Sequence, residues 1–210
     1  MSAPVQALKV GITGAIGTGK SEVTRILRAR GYPVIDADQV ARRLTETSAE
    51  IREALRRRFG AGIFDEQGNL RRRELAQVVF RDPAALRDLN AIVHPGMIEE
   101  IRREMGRLAN EGRSPVFVEA AVIYEAGMEG LFDVVAVVAA DLPEAVRRVT
   151  RRNGLSEQEV WDRYRSQIPL EEKIRRADYV IWNNGTLRDL EKEVERFLAW
   201  LDERGDGREK

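Results

Sequence analysis

Apolar residues in this chain come in short continuous runs, each followed by glycine or by a polar stretch with helical spacing. Leu8 to Gly14 (LKVGITG), Pro33 to Asp36 (PVID), Pro115 to Ala120 (PVFVEA), Phe132 to Ala140 (FDVVAVVAA) and Asp178 to Trp182 (DYVIW) read as strands. Runs without polar alternation belong to strands buried on both faces, so the pattern predicts an α/β fold: a five-stranded parallel sheet with helices on both faces. Between the first two runs, Val23, Ile26 and Leu27 mark one helix face, and Gly31 ahead of Pro33 is a stop signal. Near the end of the chain, Leu187, Leu190, Val194, Phe197, Leu198 and Leu201 form one stripe of a long helix.

Two stretches break the alternation. Residues 46–111 are arginine-rich and helical with no convincing strand, and residues 153–175 are charged and helical. Both read as insertions on a single domain whose core takes in about 1–45, 112–152 and 176–204.

Composition narrows the class. Of 210 residues, 43% are hydrophobic, enough for a sizeable core, and Lys+Arg balances Asp+Glu at 35 each. Such neutrality argues against a nucleic-acid partner. The absence of cysteine removes disulfides, thiolate metal sites and a cysteine nucleophile. No apolar stretch reaches the roughly 18 residues of a membrane span, and the start of the chain lacks a signal-peptide pattern, so a cytoplasmic protein is expected.

The chemistry is carried first by GITGAIGTGKSE, Gly11 to Glu22. Gly14, Gly19, Lys20 and Ser21 fit G-x-x-x-x-G-K-[ST] between a strand and a helix, the context of a phosphate-binding loop. Glycines let successive backbone N–H groups face one anion, and the helix dipole adds positive potential there. Lys20 then reaches the β- and γ-phosphates, and the Ser21 hydroxyl binds Mg²⁺. The next segment, DADQVAR, places Asp36 at the end of a strand and Asp38 at the opening of a helix. A carboxylate at the carboxyl end of such a sheet accepts a proton from an attacking hydroxyl or holds hydrated Mg²⁺. The structural alternative makes Asp38 a helix cap paired with Arg42.

Over about Lys9 to Phe197 the chain resembles the dephospho-CoA kinases. The resemblance rests on GITGAIGTGKS, VIDADQVAR, GNLRRRELAQVVF, LNAIVHPGM, LSEQEVWDRYRSQIPLEEK and ADYVIWNNG in that order. It implies a phosphate-loop kinase fold with a helical acceptor-binding insertion and a helical lid. It also implies transfer of the ATP γ-phosphate, with Mg²⁺, to the ribose 3′-hydroxyl of dephospho-coenzyme A. By position, Asp38 becomes the catalytic base, assisted by Lys20 and Arg148. The ATP contacts become Gly14, Ala15, Ile16, Gly17, Thr18, Gly19, Lys20, Ser21, Glu22, Arg148, Arg152, Asn184 and Gly185. The acceptor contacts become Asp36, Asp38, Arg42, Leu70, Arg72, Asn90, His94, Pro95, Glu119 and Glu125. Where many members read Asp-x-Pro-Leu-Leu-x-Glu, this chain reads EAAVIYE, with Ala121 in place of the proline and both terminal carboxylates kept. The alternative within the same scaffold is another small-molecule or nucleotide kinase. The expected partners are ATP and dephospho-coenzyme A, with no nucleic acid or membrane, for a monomer or weak oligomer.

Remaining features have competing readings. His94 is either an acceptor contact or a cap for a helix starting at Pro95. IREALRRRF (Ile51 to Phe59) reads as a solvated helix face before a phosphate patch, and DEQG (Asp65 to Gly68) follows no strand, which argues against a GTPase switch. In EAVRRVTRRNG, a wheel at about 100° per residue puts Ala145, Val146 and Val149 on the buried stripe. Arg148 and Arg152 flank that stripe, while Arg147 and Arg151 face solvent.

Overall fold

The structure is a computed structural model that describes residues 7–153 and 156–206, without the side chains of residues 152, 153, 205 and 206. Strands β1 (Lys9–Thr13), β2 (Val34–Asp36), β3 (Val116–Glu119), β4 (Val134–Ala139) and β5 (Tyr179–Trp182) form one sheet in the order β2-β3-β1-β4-β5. β1 is central, pairing in parallel with β3 (Lys9 opposite Val116) and β4 (Val10 opposite Val134); β4 pairs in parallel with β5. Every residue of β4 is buried, as an uninterrupted Val/Ala run requires.

Helix α1 (Lys20–Ala29) packs Val23, Ile26 and Leu27 onto the sheet, and α9 (Leu187–Asp206) adds Leu190, Val194, Phe197, Leu198 and Leu201 to the same core. Phe197 is fully buried against Phe117, Tyr179 and Trp200, so its truncation to alanine costs about 3–5 kcal/mol. Leu187 departs from the sequence stripe: as the first residue of α9 it is exposed, because the core begins one turn later at Leu190.

The chain divides into two compact units, one from residues up to Ile35 and from Glu104 onward, the other Asp36–Arg103. The second unit holds α2 (Ala37–Thr47), α3 (Ala49–Phe59), α4 (Arg72–Val79) and most of α5 (Pro83–Asn110). Its core joins Ile51, Leu55, Ile63, Phe64 and Val93, with Leu75, Val79 and Ala85 alongside. The arginines of α3 are used locally. Arg52 and Arg56 lie over the Phe64 ring, and Arg58 pairs with Asp88. The DEQG stretch is a turn: Asp65 accepts from the Asn69 amide at 2.6 Å, and Gly68 takes a positive φ of 81°.

No helix starts at Pro95. α5 runs through it from Pro83, with the exposed proline ring costing one bond to the Ala91 carbonyl. His94 therefore lies inside a helix and caps nothing there.

In the first unit, α6 (Leu142–Asn153), α7 (Glu157–Arg165) and α8 (Leu170–Arg176) precede β5. Ser156 and Glu159 form a reciprocal capping box that fixes the start of α7. Val160 of α7 packs on Val146 and Val149 of α6, together with Trp161 and Ile16.

Candidate active site

The phosphate loop hangs between β1 and α1 in a shape its neighbours allow only to glycine. Gly17 has φ of 80°, and a Cβ there would sit 2.3 Å from the Ala145 carbonyl of α6. Gly19 has φ of 97°, and a Cβ would meet the Asn183 amide nitrogen at 2.1 Å. Thr18, almost fully buried, closes the loop by donating its hydroxyl to the Ala15 carbonyl at 3.0 Å. Lys20 folds back over the loop, its Nζ donating to the carbonyls of Gly14 (3.0 Å) and Ala15 (2.9 Å). No side chain caps the start of α1, whose amino end carries the positive pole of the helix dipole. The result is a backbone cradle with one ammonium at its rim, a geometry suited to an anion.

The walls of the cradle come from distant sequence. At the end of β3, Glu119 accepts a hydrogen bond from the Thr24 hydroxyl at 2.6 Å, and Thr24 also donates to the Ser21 carbonyl at 3.3 Å. Asn183, directly after β5, donates its side-chain amide to the Thr18 carbonyl at 2.9 Å. Asn184 bonds the Asp141 amide (2.8 Å) and carboxylate (3.2 Å), tying the turn after β5 to the turn after β4, while Gly185 lies close against Asp189. Arg148 is half-buried, donating Nη1 to the Asn183 carbonyl and Nε to Glu144, each at 3.2 Å. Arg147 and Arg151 are exposed, while Ala145, Val146 and Val149 are buried, so α6 has the orientation given by the wheel. Arg147 first and Arg148 second hold the Glu144 carboxyl below its usual range. The Arg152 side chain lies outside the described residues. Glu22 stands beside the cradle but is engaged with Arg25 at 2.6 Å.

Glu125, expected among the acceptor contacts, is turned inward instead. Its Oε1 accepts from the fully buried Lys173 ammonium (2.7 Å) and from the Ile168 amide (2.9 Å). Burial pushes the Lys173 ammonium below its usual range, with Glu125 opposing the shift. Lys173 also donates to the Ala121 carbonyl at 2.7 Å, so the residue standing where many relatives have proline presents its backbone to the lysine.

In the Asp36–Arg103 unit, Asp36 rather than Asp38 is the cap of α2. It accepts from the Gln39 amide (3.0 Å) and side chain (2.9 Å), which places Asp38 in the first turn of α2. Arg42 pairs with Glu46 at 3.3 Å, and Arg72 donates to Glu46 (2.9 Å), to the Thr45 hydroxyl (3.0 Å) and to the Arg42 carbonyl (3.2 Å). These arginines, Arg72 first, hold the Glu46 carboxyl below its usual range. Leu70 is bridged to Phe64, and Asn90 and His94 lie one turn apart on α5, both half-buried.

Sequence reasoning missed Thr24, Asn183 and the individual parts of Gln167 and Lys173. The available signal was position: Asn183 is the first residue beyond a parallel strand, where ligands of such sheets bind. A cavity of about 460 Å³ lined by Tyr124, Glu129, Phe132, Val135, Arg176 and Asp178 lies at the opposite, amino end of β4 and β5, away from the cradle. Among the described residues no cluster of three or more His, Cys, Asp or Glu side chains forms a metal site, and no helix is long and apolar enough to cross a membrane.

A parallel sheet with a central β1, a glycine cradle and a folded-back lysine defines a phosphate-loop kinase. The fold is shared with shikimate kinase from Bacteroides thetaiotaomicron (TM-score 0.53, 16% identity, 93% of this chain and 98% of that one). The family model for dephospho-CoA kinase matches residues 8–189, and the chain belongs to that family. It is similar to dephospho-CoA kinase from Thermus thermophilus, with 45% identity over 193 residues and 91% of each chain. The Anaeromyxobacter dehalogenans enzyme is 41% identical over 192 residues, again 91% of each. Among solved structures it is similar to TT1252 from Thermus thermophilus (TM-score 0.79, 43% identity, 93% of this chain and 98% of that one) and to dephospho-CoA kinase from Campylobacter jejuni (0.67, 26%, 95% and 98%). Members of the family transfer the γ-phosphate of ATP to the ribose 3′-hydroxyl of dephospho-coenzyme A, completing coenzyme A synthesis, and this chain is such a phosphotransferase.

Proposed function

We propose that the cradle from Gly14 to Ser21 holds the phosphates of ATP and that Asp38 is the general base for the acceptor. The observation that carries this reading is the Lys20 clasp. The lysine is seated on the carbonyls of Gly14 and Ala15, in a loop already shaped for an anion. In the proposed reaction Asp38 takes the proton of the ribose 3′-hydroxyl as its oxygen bonds to the γ-phosphorus. The bond from that phosphorus to the ADP oxygen breaks, and ADP leaves carrying the electron pair. Lys20 and Arg148 neutralise charge on the phosphates, and such preorganised partners are each worth about 10²–10³ in rate. Asn184 and Gly185 border the nucleotide base. In the other unit Arg42, Leu70, Arg72, Asn90, His94 and Pro95 bind the acceptor, with Asp36 fixing the start of α2 that carries Asp38.

Mg²⁺ fits the residues present. Ser21 supplies a hydroxyl and Glu119 a carboxylate, hard oxygen donors in the small number this ion takes from proteins when phosphates and water supply the rest. Held by these residues, the ion would supply positive charge to offset that of the phosphates. The proposed setting is the cytoplasm, with a monomer or weak oligomer acting on small molecules and without a membrane partner; the balance of 35 basic against 35 acidic residues argues against a nucleic-acid partner.

The test is ADP release by the purified protein with MgATP and a panel of acceptors. Dephospho-coenzyme A is expected to show kcat/KM far above adenosine or AMP, since binding energy from its remote groups is available at the reacting centre. Equal efficiency with adenosine overturns the acceptor assignment.

A further inference from the structure

One amide of the phosphate loop is held by a side chain from the link between α7 and α8. The Ile16 N–H donates to Oε1 of Gln167 at 3.1 Å, across 151 positions of sequence. Gln167 lies in the four-residue link between α7 and α8, and that link is itself fastened. The next residue, Ile168, donates its amide to Glu125, which also takes the buried Lys173 ammonium. Lys173 and the Thr13 hydroxyl share the Ala121 carbonyl, at 2.7 and 3.3 Å. Thr13 is the last residue of β1, immediately before the loop. Through the bonds of the buried Lys173 and of Ile168, the link is tied to Glu125 and Ala121, in the segment that follows β3.

Ile16 follows Ala15, whose carbonyl seats Lys20 and accepts the Thr18 hydroxyl. Fixing the Ile16 amide therefore fixes the stretch of backbone on which the phosphate-reaching lysine rests. The Gln167 bond and the Lys20 clasp coexist in one structure, one on each side of the peptide unit that joins Ala15 to Ile16.

We propose that Gln167 is a positioning residue for phosphoryl transfer: its side-chain carbonyl holds the Ile16 amide, keeps Lys20 in register with the γ-phosphate, and makes loop geometry depend on the link between α7 and α8. This inference rests on the cradle being the ATP site. Its effect belongs to the transfer step, because the other amides of the cradle and the helix dipole still bind nucleotide without it.

The test uses Gln167→Met, which keeps length and volume and removes the acceptor. Three quantities are read: kcat with dephospho-coenzyme A, affinity for the non-hydrolysable imido analogue of ATP, and hydrogen exchange at the Ile16 amide. The expected result is a fall in kcat of about ten-fold, the scale of one hydrogen bond. Affinity for the analogue stays within about three-fold, and the Ile16 amide exchanges faster. Unchanged kcat, a loss of affinity in step with kcat, or an unchanged Ile16 exchange rate each overturns the role. Gln167→Asn, too short to reach Ile16, is expected to behave like the methionine variant; if it keeps full kcat, the proposal fails. A wild-type protein inactive on dephospho-coenzyme A faults the acceptor assignment instead, and the exchange measurement, which needs no acceptor, still judges Gln167.

Discussion

The side-chain amide of Asn183 donates to the carbonyl of Thr18 at 2.9 Å and occupies the space that a Cβ on Gly19 would need. A residue beyond the last strand thus shapes the loop after the first. Asn183→Ala leaves the buried Thr18 carbonyl without this donor, which costs about 1–3 kcal/mol. Denaturant unfolding should show that loss, and calorimetry should show weakened ATP binding. Gly19→Ala, meeting both the contact and a φ of 97°, should bind no measurable ATP. An Asn183→Ala protein that matches wild type in both measurements would remove Asn183 from the site.

The roles proposed for Lys20 and Asp38 are open to kinetic test. Lys20→Met is expected to lower kcat by at least about 10², the scale of losing one preorganised electrostatic partner. Asp38→Asn should keep ATP affinity within a few-fold while kcat falls by roughly 10² or more, the usual range for loss of a general base. Loss of activity in Asp36→Asn with Asp38→Asn intact would move the base to the other carboxylate.

The exposure of the α6 arginines is unequal, and their kinetics should follow it. Arg148, held on the Asn183 carbonyl, is expected to lose ten-fold or more in kcat/KM on replacement by alanine, about 1.4 kcal/mol of transition-state stabilisation. Arg147 and Arg151 are exposed and should stay within about two-fold. Equal losses across the three single mutants would contradict an inward role for Arg148.

Lys173 and Glu125 should show the asymmetry of a buried ion pair. Lys173→Met strands the Glu125 carboxylate in a site where it is only 13% exposed, at a cost of about 3–5 kcal/mol. Replacing both with apolar residues of similar volume should recover most of that loss. Additive destabilisation in the double mutant would mean that the two side chains do not act as a pair.

Tyr124 supplies a pH signature. Burial raises its hydroxyl from 10.0 to about 12, against the lowering effect of Arg176, whose guanidinium lies 4.2 Å from the ring centroid. The folded state therefore keeps the proton longer than the unfolded state does. The resulting stability is present below pH 10 and is lost as pH rises towards about 12. Tyr124→Phe should flatten the alkaline limb of a stability–pH curve. It should not lower stability at neutral pH, because the Tyr124 hydroxyl is buried without a hydrogen-bond partner among the described residues. Identical alkaline limbs for the two proteins would refute this account.

The strands were legible because each is a continuous apolar run, and their boundaries differ from the sequence reading mainly at flanking residues. Phe132 and Asp133, read as the start of a strand, instead form the turn before β4, where the Asp133 carboxylate and amide bond the Lys9 backbone at the amino end of β1. The loop was legible because its chemistry is local: spacing alone places Lys20 over Gly14. Gln167, Asn183 and Thr24 were not, because a side chain that bonds backbone or carboxylate 95 to 165 positions away leaves no periodicity. Pro95 misled for a different reason. Proline favours the first helical turn, but a long helix with apolar anchors at Val93 and Met97 absorbs one missing bond.

The central place of β1 also has a consequence for synthesis. Its neighbours begin more than a hundred residues later, at Val116 and Val134, and the loop that follows it is completed by Gln167 and Asn183. A ribosome-bound chain that has not released Asn183 lacks a wall of its own nucleotide cradle. Assembly of the cradle thus waits until Gln167 and Asn183 have been synthesised, and contacts of such large sequence separation form slowly.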